Sequence, residues 1–159
     1  KRVIRALEYF HLTGQPISAH NEEQRQKESP YCFAYFVLND DRANLYRRID
    51  KRVDQMMDEG LLEEVQLLKD RGYHKKMVSM QGLGYKEMLD HLDGICPLEE
   101  AVRILKRDTR HFAKRQLTWF KRERDVIWLN KPDFHYDETA ILNAMLEDLK
   151  ERGVLESMR

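Results

Sequence analysis

The sequence has few of the features that mark secreted, zinc-binding or membrane proteins. Its two cysteines, Cys32 and Cys96, are too few for a disulfide framework. No Cys/His spacing is typical of a zinc site. No apolar run approaches the roughly 20 residues needed to span a bilayer, and no signal-peptide pattern is present. We therefore expect a reducing, cytoplasmic compartment and no membrane partner.

The sequence also lacks a recognisable catalytic constellation. No Ser/His/Asp or Cys/His arrangement is visible, and no residue is a convincing general base. Gly82-Leu83-Gly84 is not a Walker A loop, because no Gly-Lys-Ser/Thr follows it. These glycines form either a plain turn, which we favour, or a close approach of the backbone to a phosphate or base. We predict no catalytic residue and no metal ligand in this chain.

The charge is balanced overall but not locally. With 28 Lys and Arg against 28 Asp and Glu, the formal net charge is zero, so global charge gives no argument for nucleic-acid binding. Between Ala101 and Arg124, however, nine Lys and Arg are opposed only by Asp108 and Glu123. Any argument from charge for nucleic-acid binding therefore rests on this segment.

A long basic amphipathic helix is predicted over 97–122. Pro97 suits its first position, and at about 100° per residue one face is largely apolar. The opposite face presents a stripe of five cations, namely Arg103, Arg107, Arg110, Lys114 and Lys121. This stripe is either a contact to a phosphate backbone or a solvated face balanced by acidic neighbours.

Four further side chains are ambiguous from the sequence. On the apolar face of the long helix we expect Phe112 and Trp119 to be core residues, the alternative being platforms on which bases stack. Gln116 is polar on that face and needs a buried partner or a ligand. Arg48, with a second arginine four residues later, follows a buried strand, where it either binds a phosphate group or pairs with an acid.

The amino terminus enters a helical pattern at once. Its apolar face consists of Val3, Ile4, Leu7 and Phe10. Gly14 and Pro16 end this helix near Thr13. No N-cap residue precedes it, so we expect a chain cut from a longer protein. The polar stretch 20–29 has no periodicity and is predicted to be an exposed loop.

Two segments are predicted to be strands. Tyr31 to Leu38 is apolar without alternation, which is typical of a strand buried on both faces of a parallel sheet; Val126 to Asn130 is a second, shorter candidate. Glycines 60, 72, 94 and 153 are predicted to end four other helices. The fold class is α/β overall, with this chain mostly α-helical. Two strands alone leave apolar edges, so we expect the isolated chain to self-associate.

Four sequence blocks stand in a fixed order. The first is 1–8 with Thr13-Gly14, the second runs from Leu45-Tyr46 through Gly60-Leu61 to Val65, the third is 82–87, and the fourth is Thr109-Arg110 with 113–120. In order and spacing, from the first residue to about Asn130, the chain resembles the tRNA dimethylallyltransferase family, also called tRNA isopentenyltransferases.

The resemblance implies a fold like a P-loop nucleotide kinase with a helical insertion. It implies transfer of a dimethylallyl group from dimethylallyl diphosphate to the exocyclic amine of the adenosine beside the anticodon. That adenosine would be flipped into a channel, and Mg²⁺ and cations would stabilise the departing diphosphate. By this resemblance, the family's phosphate-binding loop and the aspartate proposed as its general base lie upstream of Lys1. We therefore expect the Mg²⁺ site in the missing amino-terminal half, and the chain alone to be inactive.

The resemblance also assigns residues. It makes 1–159 the carboxy-terminal part of a single catalytic and tRNA-binding domain, with the tRNA anticodon stem-loop as partner. Arg52 matches a family arginine near the channel and is assigned to the diphosphate. The implied tRNA contacts are Lys1, Arg2, Val3, Ile4, Arg5, Gln81, Gly82, Leu83, Gly84, Tyr85, Lys86, Lys114, Arg115, Gln116, Leu117, Thr118, Trp119, Phe120 and Lys121.

Two other classes of function stay open from the sequence. One is a stand-alone helical RNA-binding module, against which the buried strand argues, since an autonomous module would not contain an orphan parallel strand. The other is a protein-interaction fragment whose basic face meets an acidic partner. Binding of an anticodon stem-loop compared with a random acidic polymer separates this last class from the RNA-binding ones.

Overall fold

The computed structural model describes residues 1–27 and 29–155. These residues form two compact units, Lys1–Phe33 with the chain from Leu149 onward, and Ala34–Asp148. Most of the described chain is helical, and its two strands form one parallel sheet. Among the described helices, none combines the length and the apolar character that crossing a membrane requires.

The first unit contains two exposed helices, α1 (Arg2–Thr13) and α2 (Ile17–Gln26). Gly14 ends α1 in the left-handed region at φ 70°, and its N–H donates to the Phe10 carbonyl. The predicted end of this helix at Thr13 is therefore confirmed. The predicted loop over 20–29 is wrong as far as Gln26, because α2 includes those residues; position 28 lies outside the described residues.

Charged pairs at helical spacing accompany α2, which has no apolar stripe. Glu22 lies 3.8 Å from Arg25, and Glu23 lies 3.2 Å from Lys27, at helical spacings of three and four residues. Such pairs stabilise an exposed helix modestly, by about 0.2–0.5 kcal/mol each. A search for apolar periodicity does not detect a helix of this kind.

The second unit contains the sheet. β1 (Tyr35–Asn39) and β2 (Val126–Asn130) run parallel, with Tyr35 opposite Val126 and Asn39 opposite Asn130. The predicted β2 is confirmed at both ends. The strand predicted over 31–38 is observed as β1 at 35–39. It is shorter than predicted because only these residues pair with β2. It is also not buried on both faces, since Val37 is buried but Leu38 is 53% exposed.

The remaining helices follow the predicted order. They are α3 (Arg42–Asp58), α4 (Leu61–Asp70), α5 (Tyr85–Leu92), α6 (Leu98–Phe120) and α7 (Glu138–Glu151), of which α7 continues past the end of the second unit. Short 3-10 turns span Val78–Gln81 and Lys131–Phe134. α3, α4, α5 and α7 each end two residues before a predicted glycine stop, and α6 confirms the long helix to within two residues.

The core of the second unit holds α3, α4, α5 and α6 together. Its buried side chains are Val53, Leu61, Val65, Met80, Met88, Leu89, Ala101 and Leu105. Each large apolar side chain buried in this way contributes about 1.5–3 kcal/mol. This packing sets α3 against α6, and the candidate site lies along these two helices.

Candidate nucleic-acid interface

The carboxyl ends of the two strands meet in a polar floor. Because β1 and β2 are parallel and in register, Asn39 and Asn130 end them side by side, and the Asn39 amide donates to Asn130 Oδ1 at 2.9 Å. Asn130 in turn donates to Asp133 at 3.0 Å. Ligands of open α/β sheets bind outside the carboxyl ends of the strands, so this edge is the first place to look for a site.

Asp40, the residue after β1, is held by a dense network. Its carboxylate accepts hydrogen bonds from the Tyr136 hydroxyl at 3.0 Å and from the backbone N–H of Asp41 at 2.8 Å. Arg48 lies 3.6 Å from the second oxygen of Asp40, and the Asp40 side chain is only 6% exposed. Burial would raise the pKa of Asp40, but these hydrogen bonds, another from Asn44 and the charge of Arg48 together lower its pKa below the usual value.

A strained turn brings Tyr136 to this network. His135 and Tyr136 follow the second 3-10 turn with φ of 52° and 62°, a conformation that non-glycine residues rarely adopt. The Tyr136 hydroxyl also accepts a hydrogen bond from the Asn44 amide at 2.6 Å. Partial burial and the Asp40 charge raise the pKa of Tyr136, so its hydroxyl stays protonated and donates to Asp40.

A polar cavity of about 460 Å³ opens above the strand ends. Asn39 and Asn130 line its floor, and the aromatic rings of Tyr46 and Trp128 contribute to its wall. Three cations border it, namely Arg42, Lys114 and Lys121. The cavity therefore combines amide groups, aromatic surface and positive charge, which are the groups that bind nucleotides.

The cations in the first half of α6 are neutralised. Two of them bridge to α3 in a ladder, Arg110 to Asp50 and Lys106 to Asp54, each at 2.5 Å. Arg103 makes a bidentate pair with Glu100 at 2.6 and 2.7 Å, and Arg107 pairs with Asp108 at 2.8 Å. The hydrogen bond from Arg107 lowers the pKa of Asp108, and Arg103 likewise lowers the pKa of Glu100.

The second half of α6 differs. Within residues 1–27 and 29–155, no carboxylate forms an ion pair with Lys114, Arg115, Lys121 or Arg122. Arg115 instead lies 5.8 Å from the centre of the Phe112 ring. Of the two alternatives for the basic stripe, a face balanced by acidic neighbours therefore fits the first half of the helix, and a contact to phosphate stays open for the second. Its first half packs and pairs with the fold, whereas its second half presents unpaired positive charge.

The apolar face of α6 also changes character along the helix. Leu105 is buried, but Phe112 is 45% and Trp119 53% exposed, so the expectation that these two aromatics are core residues is wrong. Trp119 contacts the Phe120 ring edge-on, with ring centres 5.2 Å apart.

Gln116 is exposed rather than buried, so it does not need the internal partner that its place on the helix implied. It lines a second cavity of about 300 Å³, the Gln116 cavity, together with Asn39, Asp40 and Arg48. Leu117 borders both this cavity and the polar cavity. The exposed Gln116 side chain thus lies at an accessible cavity beside the Asp40 network.

The glycine segment before α5 is held by a buried carboxylate. Gly84 has φ 98°, and its N–H donates to Glu87 Oε2 at 2.9 Å, although Glu87 is only 3% exposed. The Lys86 ammonium lies 3.2 Å from the other oxygen of Glu87 and 3.6 Å from Asp108. Tyr85 donates to Glu64 at 2.6 Å, which raises the pKa of Tyr85. The segment is a rigid, capped turn.

An apolar groove of about 570 Å³ runs between α3 and α6 beside this turn. Val53, Leu83 and Leu105 line it, with Arg48 and Arg52 among its polar groups. Arg52 lies 3.3 Å from Glu59 and is exposed. The structure thus brings Arg52 and the glycine turn to one groove, and Arg48 connects that groove with the Gln116 cavity.

The chain matches a known protein family over most of its length. A model described as IPP transferase matches residues 1–123. The chain belongs to this family. It is 63% identical over 98% of its length to a tRNA dimethylallyltransferase of Lachnoclostridium phytofermentans, and 51% identical over 90% to one of Acetivibrio thermocellus. It covers 50% and 46% of those proteins, so the chain spans about half the length of the curated relatives it matches.

The fold of this IPP transferase chain matches a solved relative. A full-length tRNA isopentenylpyrophosphate transferase from Bacillus halodurans superposes with a TM-score of 0.73 at 44% identity, over 96% of this chain and 46% of that one. The resemblance inferred from the four sequence blocks is therefore confirmed at the level of the family.

The contacts inferred from the IPP transferase family fall into three places. Lys1, Arg2, Val3, Ile4 and Arg5 begin the first unit, where Val3 is 72% and Ile4 59% exposed. Residues 81–86 form the capped turn, and 114–121 form the unpaired half of α6 and its end, both in the second unit. In the described part of the chain, no three His, Cys, Asp or Glu side chains converge as metal ligands.

Sequence reasoning missed the Asp40 network of this IPP transferase chain. Asn44, which donates to the Tyr136 hydroxyl, is 92 residues away from it, and both side chains donate to Asp40. One signal was available, since polar residues follow both predicted strands and the carboxyl ends of parallel strands share one edge. Arg42 was missed as well, because it stands outside the long basic helix.

Proposed function

We propose that the whole protein is a tRNA prenyltransferase. It transfers a dimethylallyl group from dimethylallyl diphosphate to the exocyclic amine of the adenosine adjacent to the anticodon. The parent fold is a P-loop kinase-like α/β fold, completed by an amino-terminal half. The present chain supplies RNA contacts and part of the channel, within a cytoplasmic enzyme.

One observation supports the RNA-binding part above all. The cations of the second half of α6 make no ion pair in the described residues, whereas those of the first half are paired. In a chain with a formal net charge of zero, cations left without a carboxylate are available to a polyanion. Exposed Trp119 beside them offers a surface on which a base can stack.

The apolar groove supports the prenyl-donor part. A prenyl diphosphate is an apolar chain with an anionic head, and the groove combines aliphatic side chains with Arg48 and Arg52. In the reaction the allylic carbon–oxygen bond breaks, the carbon bonds to the adenosine amine, and the amine loses a proton. Arg52 binds the diphosphate that leaves, and the aliphatic lining excludes water from the allylic carbon.

On the family resemblance we place the Mg²⁺ that assists departure of diphosphate, like the general base and the phosphate loop, outside this chain. The steps assigned here involve only this chain's own residues, which bind RNA, hold the anionic head of the donor and shield the allylic carbon.

The test is binding and turnover measured on the same chain. Fluorescence anisotropy should show tighter binding to an unmodified anticodon stem-loop than to polyglutamate, which presents charge without bases. Preference for polyglutamate would favour the protein-interaction alternative instead. With dimethylallyl diphosphate, Mg²⁺ and unmodified tRNA, the chain alone should show no prenyl transfer, and turnover above background would contradict the assignment of catalysis to the other half.

A further inference from the structure

The polar cavity brings together three cations from two different helices. Arg42 is the first residue of α3, Lys114 stands in the second half of α6, and Lys121 directly follows the last residue of α6. We propose that Arg42, Lys114 and Lys121 form a binding site for one backbone phosphate of the RNA. This rests on the proposed function and adds Arg42, which lies outside the three segments assigned to RNA, as a contact residue.

The charge around the cavity supports an anion as the ligand. None of the three cations has an ion-pair partner in the part of the chain that the structure describes. The acidic side chain in the cavity wall, Asp40, is already compensated, because it accepts three hydrogen bonds and lies 3.6 Å from Arg48. The unbalanced charge at this cavity is therefore positive.

The groups beside the cations favour a phosphate that belongs to a nucleotide. Trp128 and the Asn39 and Asn130 amides line the same cavity, whose volume of about 460 Å³ exceeds what one phosphate group fills. The first turn of α3 also borders it, since Arg42, Leu45 and Tyr46 are lining residues. Asp41, which precedes α3, makes no capping hydrogen bond through its side chain, so the N–H groups of this turn add to the positive potential.

The cavity is separate from the groove assigned to the prenyl donor. Arg42 points to the strand ends, whereas Arg48 and Arg52, further along α3, line the apolar groove. Among the described residues, only Leu45 lines both. A phosphate bound by Arg42 therefore belongs to a nucleotide other than the diphosphate of the donor. It anchors the RNA strand at the amino-terminal end of α3.

The experiment measures binding of a labelled anticodon stem-loop to the full chain over a range of salt concentrations. Arg42→Gln should weaken binding about tenfold and reduce the slope of log affinity against log salt by about one unit or less, for target and non-target loops alike. Arg42→Lys should restore the slope, because it keeps the charge. Arg103→Gln is the matched control: Arg103 pairs with Glu100, so its loss should leave the slope unchanged.

A double variant tests whether one phosphate is shared. If Arg42 and Lys121 hold the same group, the loss in the Arg42→Gln/Lys121→Gln protein should be smaller than the sum of the single losses. Equal melting temperatures of all variants would show that folding is unaffected, as expected for exposed, unpaired side chains.

Three results would overturn the inference. Unchanged affinity and slope in Arg42→Gln, with wild-type chain binding RNA, would remove Arg42 from the interface while leaving the proposed function intact. Absence of RNA binding by the wild-type chain would reject the proposed function itself. Inorganic diphosphate that binds the wild-type chain but not Arg42→Gln, with RNA affinity equal in both, would assign the cavity to a free anion instead.

Discussion

Asp40 shows how one residue organises the strand end. It follows β1 directly, and its carboxylate joins β1, the first turn of α3 and the turn that contains Tyr136. Its folded pKa lies below the ordinary value of 3.8, so its carboxylate contributes stability above that pH. The contribution is lost as the pH falls through the lower folded pKa.

Replacing Tyr136 by Phe should make the protein more sensitive to acid. The change removes a hydrogen bond to the Asp40 carboxylate and so raises the folded pKa of Asp40 towards its unfolded value. Acid unfolding, followed by circular dichroism below about pH 5, should then begin at a higher pH than in the wild-type protein. Tyr73→Phe is the control, since the Tyr73 hydroxyl has no hydrogen bond within the described residues. Identical acid transitions for both variants would contradict the role of Tyr136.

A variant at Gln116 distinguishes a role in RNA binding from a role in stability. Because it is exposed and lines the Gln116 cavity, Gln116→Ala should leave the melting temperature within about 1–2 °C of wild type. If its amide contacts a nucleotide, discrimination between target and non-target anticodon loops should fall, while the salt slope holds. Stability and RNA preference are to be measured on the same variant in the complete enzyme. A lower melting temperature with intact discrimination would mean that Gln116 has a structural role.

At the scale of elements, α6 has two halves with different tasks. Lys106 and Arg110 pair with Asp54 and Asp50 at a spacing of four residues on each helix, which joins α6 to α3 along their antiparallel contact. Beyond Arg110 these pairings stop, and charge and aromatic surface are exposed. The first half therefore holds α6 against α3, and the second half is exposed.

The turn before α5 is held by the Glu87 carboxylate, which accepts a hydrogen bond from the Gly84 N–H. Glu87→Ala leaves the Gly84 N–H without its acceptor in a buried position and should destabilise the protein by about 1–3 kcal/mol in urea unfolding. Glu87→Gln should recover part of this, because its amide oxygen still accepts from Gly84 but its amide nitrogen then faces the Lys86 ammonium. If Glu87→Ala unfolds at the wild-type urea concentration, the cap does not hold the turn.

At the scale of the whole molecule, the sheet of the described residues has only two strands. β1 and β2 pair only with each other in the described residues, so each strand has an edge without a strand partner. Leu38 is 53% exposed on β1. Such edges pair readily with other chains.

The isolated chain is accordingly expected to form dimers or larger species as its concentration rises. Light scattering under reducing conditions measures this, the reductant preventing a disulfide through exposed Cys32. Leu38→Lys should shift the distribution towards monomer by adding charge at the edge. A monodisperse wild-type monomer at high concentration would count against the prediction.

Much of the fold could be predicted because the signals are local. Apolar residues between polar ones placed β2 correctly, and glycines set the ends of four helices, since a left-handed conformation is easiest for glycine. The strand predicted over 31–38 was too long, because an apolar run does not reveal how many strands are available to pair with it. The helix α2 was missed because it has no apolar stripe, and charged pairs at helical spacing give no signal of hydrophobic periodicity.

By itself the sequence determined the order of the elements other than α2, the family of the chain and the segment in which positive charge is concentrated. Only the tertiary structure decided which of those charges are available. Arg110 is neutralised by Asp50, 60 residues away, and Asp40 is compensated by Tyr136, 96 residues away. Periodicity and propensity depend on neighbours in the chain, whereas the pairing of charges and the exposure of Trp119 depend on which helices pack together.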